Sequence, residues 1–269
     1  MKNGLLPLFI IRLLSMCLPG LLLVSCATVP ETGRRQLQLV SPQEETRLGL
    51  TEFQRMKKTT PISKDAAVNE MVQRVGRRIS AVAPLPNAQW EFVVFDEPKT
   101  VNAFCLPGGK VGIYTGILPI TKDEAGLATV IGHEVSHAVA RHGAERMSEG
   151  LLAQIGGAAL DVAMRNRSQT TRELTQVAYG LGGALVVALP HSRKQELEAD
   201  HLGLIYMARA GYDPREAVDF WRRFASHNKQ QGGRQIQFLS THPVDDVRIR
   251  DLEAEIPAAL EEYRRAGGQ

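Results

Sequence analysis

The chain has 269 residues, of which 43% are hydrophobic and 23% are charged, and its formal net charge is +3. This length is enough for one sizeable hydrophobic core, and the composition is that of an ordinary globular protein. It excludes a disordered chain or a collagen, and we find no repeat of about 20–50 residues that would indicate a repeat array.

Residues 1–25 differ from the rest of the chain, because Lys2 and Arg12 are their only charged side chains and most others are apolar. A basic start followed by an apolar run predicts a signal peptide, and Arg12 interrupts the run, which argues against a permanent membrane span. The segment ends in Leu23-Val24-Ser25-Cys26, which resembles the bacterial lipobox. There a signal peptidase cuts before the cysteine, and the thiol carries a diacylglycerol. We therefore predict a lipidated Cys26; the alternative is a buried thiol in an uncleaved anchor.

This cut changes the charge and the thiol content of the mature chain. Loss of Lys2 and Arg12 removes two positive charges from +3 and leaves +1, which gives no electrostatic reason to expect a nucleic-acid partner. Loss of Cys17 and lipidation of Cys26 leave Cys105 as the only free thiol. We therefore expect no disulfide within the mature chain.

The rest of the sequence predicts a lipidated N-terminal tether at residues 26–42 and one folded domain at residues 43–269. Apolar periodicity and β-branched runs within the domain predict elements in chain order. These are helices at Pro42–Lys58 (with Ser41 as N-cap) and Ala66–Val82, strands at Trp90–Phe95, Val101–Cys105 and Val111–Tyr114, and helices at Glu124–Met147, Ser192–Ala208 and Pro214–Ser226, followed by a polar loop at His227–Gln235 and a helical tail. The apolar region Gly150–Leu189 is either a lid over a cleft or a set of core helices.

The predicted helix Glu124–Met147 carries the pentapeptide His133-Glu134-Val135-Ser136-His137. Four-residue spacing puts both imidazoles on one face, where they can occupy two corners of a tetrahedral zinc site. Glu134 is rotated by about 100°, so its carboxylate can reach a zinc-bound water without being a ligand. Zinc lowers the pKa of that water to about 7, and Glu134 would take its proton as it attacks a carbonyl. The apolar flanks of the motif argue against a chance match.

A catalytic zinc of this type needs a third protein ligand. The metzincin pattern would require a histidine at position 143, which is Gly143, and His142 lies one residue short. The alternative is a glutamate from the segment Glu196-Leu-Glu198-Ala-Asp200. Glu196 shares a helical face with Asp200, which can accept the second N–H of a zinc-bound histidine, and Glu198 is the competing ligand.

Four motifs in this order carry a resemblance to a known family. They are Asn102-Ala-Phe-Cys-Leu-Pro-Gly-Gly109, Gly132-His-Glu-Val-Ser-His137, Ser192-Arg-Lys-Gln-Glu-Leu-Glu-Ala-Asp200 and Ser240-Thr-His-Pro243. Together they resemble the HtpX, CAAX prenyl endopeptidase and Oma-type zinc metallopeptidases, a gluzincin family, over about Ser63 to Arg250. Within the family the motifs resemble the periplasmic branch that includes LoiP and BepA, and we expect no helical repeats like those of BepA.

The resemblance implies a mainly helical α+β fold of the zincin type, with a small antiparallel sheet whose edge strand lines the active-site cleft. It implies one zinc ion per chain, held by His133, His137 and Glu196, with Asp200 supporting a ligand. It also implies that Asn102, Ala103 and Phe104 bind peptide by β-addition. His242 would occupy the open zinc position or stabilise the oxyanion, assisted by Arg248. The alternatives are a capped turn for His242 and a surface ion pair for Arg248.

The remaining candidates have simpler interpretations. Cys105 is expected to be a buried structural thiol. The other histidines are expected to be surface or capping residues: His142, His191, His201 and His227.

The leading functional hypothesis is a zinc endopeptidase that cuts unfolded or misassembled envelope proteins. The second is a chaperone-like binding protein with a closed, self-inhibited zinc site. The lipobox predicts a lipid anchor on Cys26, and Ala27 after it favours the periplasmic face of the outer membrane of a Gram-negative bacterium. The expected partners are polypeptide substrates and the outer-membrane assembly machinery.

Overall fold

The computed structural model describes residues 26–171, 192–230 and 237–268. The predicted signal peptide, residues 172–189 of the apolar region and His191 lie outside these ranges. The described strands are β1 Cys26–Thr28, β2 Arg35–Leu37, β3 Glu91–Phe95, β4 Ala103–Leu106 and β5 Lys110–Tyr114. The helices are α1 Pro42–Thr59, α2 Ala66–Ser80, α3 Leu118–Thr121, α4 Glu124–Val139, α5 His142–Met164, α6 Arg193–Arg209, α7 Arg215–Gln230, α8 Gln237–Thr241 and α9 Asp246–Arg265. The prediction of a mainly helical α+β domain is confirmed.

The three-stranded sheet has the order β3-β5-β4, so β4 lies at an edge of the described sheet. Strands β4 and β5 pair antiparallel, as expected for the small sheet, in a hairpin whose turn uses Gly108 and Gly109 at positive φ of 85° and 81°. Strand β3, however, pairs with β5 in parallel, with Glu91 opposite Lys110. The sheet is therefore mixed: the predicted antiparallel pairing is present between the edge strand β4 and β5, while the long connection from β3 through β4 returns the chain parallel to β3.

The segment predicted as a tether is folded over residues 26–37. Strands β1 and β2 pair antiparallel, and Glu31 and Gly33 turn the chain between them at positive φ. Val29 is buried, and Gln36 is buried with its Nε2 donating to the backbone oxygen of Ala140 at 2.7 Å. Because side chains of this segment find partners on the domain, residues 26–37 form an N-terminal hairpin packed on the domain surface.

The predicted continuous helix Glu124–Met147 is interrupted. Helix α4 ends at Val139, Arg141 adopts the left-handed conformation with φ 55° and ψ 36°, and α5 begins at His142. Glu45 on α1 accepts from Arg141 Nε at 2.6 Å. This external ion pair holds a non-glycine residue in a conformation that costs energy, and the break redirects the chain just after the pentapeptide.

Helix α4 forms the centre of the hydrophobic core. Every residue from Gly126 to Val139 is buried, and the helix packs against α2, α6, α7 and β4. The largest fully buried side chains around it include Trp221, Phe220 and Ile113. No helix in the described ranges has the length and apolar character needed to cross a membrane.

Helices α4 and α6 cross closely because two glycines meet at the crossing. A Cβ atom on Gly203 would lie 3.0 Å from the backbone nitrogen of His133, closer than side chains normally approach a backbone atom. We predict that Gly203→Ala destabilises the protein by about 1–3 kcal/mol, since one helix must shift. Urea unfolding measures this loss. Gly143→Ala is the control, because a Cβ there meets no atom within 4 Å; equal stability of both variants would contradict the prediction.

Candidate metal centre

Helix α4 places the pentapeptide at the centre of the core. His133 and His137 are one helical turn apart and buried, and their Nε2 atoms lie 3.1 Å from each other. Two imidazole nitrogens this close cannot both carry a proton, so at least one of them presents the lone pair that a metal ligand needs.

Two further donors reach the same point from other elements. Glu196 lies in the first turn of α6, whose start is fixed by a capping box between Ser192 and Gln195. Its Oε1 is 3.3 Å from His137 Nε2. His242 follows α8, and its Nδ1 is 3.1 Å from His133 Nε2 and 3.0 Å from Glu196 Oε1.

The four side chains fit one metal ion. The candidate ligand atoms of His133, His137, Glu196 and His242 all lie within 4.8 Å of one another, and all four residues are buried. Metal–ligand bonds of about 2.0–2.2 Å in a tetrahedron separate ligand atoms by about 3.3 Å. The closest contacts among the four side chains, 3.0–3.3 Å, match that separation. Glu198, the competing ligand in the sequence, is not a member of this group.

Glu134 lies beside the group without joining it. It is buried, and its Oε1 is 3.3 Å from His242 Nε2. Burial raises the pKa of Glu134 above its ordinary value, since desolvation of the carboxylate outweighs the attraction of His242 and His133. A carboxyl with a raised pKa next to a metal site is suited to accept and return a proton.

Asp200 and Arg248 support the site from behind. Asp200 Oδ1 lies 3.0 Å from His133 Nδ1. Arg248 donates to Asp200 through Nε at 2.5 Å and Nη2 at 2.8 Å, and its Nη1 lies 2.8 Å from Glu196 Oε2. Its guanidinium also stacks 4.1 Å from the ring of Trp221. The surface alternative for Arg248 is wrong, because the side chain is buried and neutralises two buried carboxylates.

The same guanidinium controls the charge of the glutamate. Burial alone would raise the pKa of Glu196, but His242 and Arg248 attract the carboxylate and hold its pKa well below the ordinary value. Glu196 is therefore an anion at neutral pH, which is the form that binds a metal.

His142 was missed by sequence reasoning as a functional residue. It is fully buried, not a surface or capping residue, and its Nδ1 lies 2.7 Å from His137 Nδ1. Its Nε2 lies 2.9 Å from Glu198 Oε2. His201 fits the surface expectation, since it is about half exposed and pairs with Glu255.

A network of hydrogen bonds keeps Glu198 ionised. Burial raises its pKa, but hydrogen bonds from His142, Thr32 and Arg34 outweigh the burial and lower the pKa to about 2. Burial also lowers the pKa of His142, so this imidazole is neutral at pH 7.

The predicted peptide-binding segment runs next to the pentapeptide. Strand β4, which contains Ala103 and Phe104, packs against α4, and Asn102 immediately precedes it. Phe104 packs edge-on against Phe53, with 6.3 Å between ring centroids. Cys105, expected to be buried, is half-buried in the same strand, and burial raises the pKa of its thiol.

This fold and donor set define the class of zincin-type metallopeptidases. A histidine pair one turn apart on a buried helix, a glutamate from a second helix and a separate glutamate beside them are its chemical signature. The chain belongs to peptidase family M48, whose family model matches residues 66–256. The resemblance inferred from the four motifs is thereby confirmed at the level of the family.

Individual relatives support the same assignment. The chain is 40% identical over 192 residues to the mitochondrial metalloendopeptidase OMA1 of Schizosaccharomyces pombe, covering 70% of this chain and 53% of the relative. It is 31% identical over 242 residues to human OMA1, covering 86% and 46%. It is 25% identical over 227 residues to the beta-barrel assembly-enhancing protease of Yersinia pestis, covering 83% and 46%. The chain spans about half the length of these curated relatives.

Proposed function

We propose that the protein is a zinc-dependent endopeptidase that cleaves unfolded or misassembled polypeptides in a bacterial envelope. The observation that carries the proposal is the convergence of His133, His137, Glu196 and His242 on one point, with Glu134 beside it. Imidazole and carboxylate donors in a four-coordinate arrangement favour zinc over magnesium or calcium, which take oxygen ligands in larger numbers.

The protein's own groups have separable roles in this proposal. Bound zinc would supply Lewis acidity toward the scissile carbonyl and toward water. Glu134 accepts the proton of the attacking water and returns it to the leaving amide nitrogen. Asp200 fixes the orientation and tautomer of His133, and Arg248 fixes Asp200 and Glu196. His242 would either hold the metal as a fourth ligand or, when substrate takes that place, donate to the oxyanion with Arg248 behind it.

Strand β4 gives the proposed site a way to hold extended peptide. The backbone oxygen of Asn102 accepts from Tyr114 N at 3.1 Å, so the backbone of Asn102 faces β5. Alternation along an antiparallel strand then turns the polar backbone groups of Ala103 and Cys105 toward the open edge. A peptide that pairs with this edge would be bound mainly through its backbone hydrogen bonds and less through its side chains, which supports broad specificity for unfolded segments.

A second candidate function rests on His242. Its Nδ1 completes a four-ligand set, as in structural zinc sites that have no open position. Such a site would suit a chaperone-like binding protein with a closed metal centre. Zinc would then stabilise the fold without performing chemistry.

Casein proteolysis distinguishes the two candidates. We expect the purified protein to degrade casein, to lose this activity on chelation and to regain it when zinc is added back. His242→Ala should lower the rate if the histidine donates to the oxyanion, and should raise it if the histidine mainly holds the site closed. Absence of cleavage by both wild type and His242→Ala, in samples that contain zinc, would favour the binding function.

The envelope location is proposed from the lipobox and from one relative. The Yersinia pestis relative is named for beta-barrel assembly, which supports a substrate or partner in the outer-membrane assembly machinery. We propose a lipid anchor on Cys26, which is exposed at the start of β1.

Membrane fractionation tests the anchor. Cys26→Ala should shift the protein from the membrane to the soluble fraction, because an acylated chain binds bilayers through its buried methylenes. Cys105→Ala is the matched control and should remain in the membrane fraction. Persistent membrane association of Cys26→Ala would count against the anchor.

A further inference from the structure

A chain of contacts leads from the metal-site face of His137 to the N-terminal hairpin. His137 Nδ1 is 2.7 Å from His142 Nδ1, and His142 Nε2 is 2.9 Å from Glu198 Oε2. Glu198 Oε2 in turn accepts from Arg34 Nε at 2.6 Å, and Glu198 Oε1 accepts from the hydroxyl of Thr32. Two of these residues, Thr32 and Arg34, belong to the hairpin.

Hydrogen-bond chemistry fixes the direction of this chain. His137 must keep Nε2 unprotonated to bind a metal, so its proton is on Nδ1. His137 Nδ1–H then donates to His142 Nδ1, which leaves the His142 proton on Nε2. That proton faces Glu198, a carboxylate that only accepts. One arrangement of protons therefore satisfies the contacts from His137 to Glu198.

Arg34 holds Glu198 in place. Its side chain is 11% exposed and that of Glu198 is 6% exposed, so both charges are largely removed from water. Arg34 also donates to Glu145 through Nη1 at 2.7 Å and Nη2 at 2.9 Å, and Gln195 donates to Glu145 at 2.7 Å. The guanidinium thus lies between two carboxylates, one on α5 and one on α6, and joins both helices to the hairpin.

The contacts that orient His137 resemble those that orient His133. His133 contacts Asp200, and Asp200 is held by Arg248. For His137 the carboxylate acts through one additional imidazole, and the arginine comes from the opposite end of the chain. Each of the two pentapeptide histidines therefore has its own carboxylate and its own arginine.

We infer that His142 and Glu198 are positioning residues that orient His137 for metal binding, and that the N-terminal hairpin completes their network through Arg34. The inference rests on the proposed function, because it concerns the same metal site. It makes docking of the hairpin a condition for high metal affinity. Loosening the hairpin should weaken metal binding, even though no hairpin residue belongs to the ligand group.

Zinc affinity is the direct measurement, obtained by competition with a chromophoric chelator. Loss of a partner that orients a ligating histidine typically lowers metal affinity about 10–100-fold. We expect a fall of this size for His142→Ala. His142→Gln should recover most of it, since the amide oxygen can accept from His137 and the amide nitrogen can donate to Glu198.

Arg34→Ala tests the hairpin, with an expected loss at the lower end of that range, about tenfold. Glu31→Gln is its matched control. Glu31 also joins the hairpin to α6, through Arg209 at 2.7 Å, but makes no contact with the His142–Glu198 network. Its zinc affinity should equal that of the wild type. The absorption spectrum of the cobalt-substituted protein should change in Arg34→Ala and not in Glu31→Gln.

Thermal unfolding of the metal-free variants separates folding defects from loss of positioning. Unchanged zinc affinity in folded His142→Ala, or equal losses in Arg34→Ala and Glu31→Gln, would overturn the inference. If His142→Ala does not fold, the comparison of Arg34→Ala with Glu31→Gln decides alone. Casein cleavage by the wild type is measured separately from zinc affinity. A wild type that binds zinc without cutting casein contradicts the proposed activity, whereas the affinity ratios test only the positioning network.

Discussion

Glu134→Gln is expected to abolish casein cleavage while the protein keeps its zinc. Glutamine has the shape of glutamate but cannot accept a proton, so the attacking water loses its base. The residue lies outside the four-donor group, and therefore the metal keeps all its protein ligands. Loss of a general base lowers the rate about 10²–10⁴-fold. Turnover of casein and zinc content per chain, measured on the same sample, check the prediction.

Glu261→Gln is the control for this substitution. Glu261 is well exposed on α9, so its variant should cleave at the wild-type rate. Retained cleavage by a pure Glu134→Gln sample would contradict the mechanism. Loss of zinc together with activity would show instead that Glu134 supports the metal site.

Arg248→Ala is expected to destabilise the protein more than Gly203→Ala does. It leaves Asp200 and Glu196 buried without their shared cation. Removing one partner of a buried ion pair costs about 3–5 kcal/mol, because the remaining charge is uncompensated. The loss should be smaller in the zinc-loaded protein, where the ion supplies positive charge beside Glu196. Urea unfolding with and without zinc gives both values.

Arg265→Ala provides the comparison for Arg248→Ala. Its side chain is 68% exposed and pairs with Glu262 on the same helix, a kind of pair that contributes less than about 1 kcal/mol. A loss in Arg248→Ala no larger than that in Arg265→Ala would refute the buried-cation interpretation. The double variant Arg248→Ala with Asp200→Asn should recover part of the stability, since it removes one orphaned charge.

The metal group was accessible to sequence reasoning because its spacing is local. His133 and His137 are one turn apart on a single helix, and Glu196 and Asp200 repeat that spacing on another. The helix start at Ser192 was also readable, since a capping box has a sequence signature. Residue spacing alone could not predict that α4 and α6 pack against each other and bring these side chains together. The need for a third zinc ligand suggested a glutamate of the second segment, and the resemblance selected Glu196 over Glu198; the close approach of Gly203 to α4 accounts physically for the joining.

The role of His142 was hidden by one backbone conformation. On a continuous helix, His142 would point about 140° away from His137. The left-handed turn at Arg141 brings it back, and Arg141 is held there by Glu45 of a distant helix. Such a turn at a non-glycine residue depends on tertiary contacts and leaves no local pattern. The hairpin at residues 26–37 was missed for the same reason, because its burial depends on distant partners.

The folded hairpin has a consequence for the proposed anchor, because it would fix the distance between Cys26 and the metal site. If residues 27–42 were a flexible tether, the average distance between an anchor at Cys26 and the start of the domain would be about 20 Å and would vary freely. With residues 26–37 packed on the domain, that freedom is lost, and the proposed lipid attachment point at Cys26 would move with the domain. An anchored molecule would then reach only polypeptides within a thin layer at the bilayer surface. Distance from the bilayer would therefore limit the choice of substrate before amino-acid sequence does.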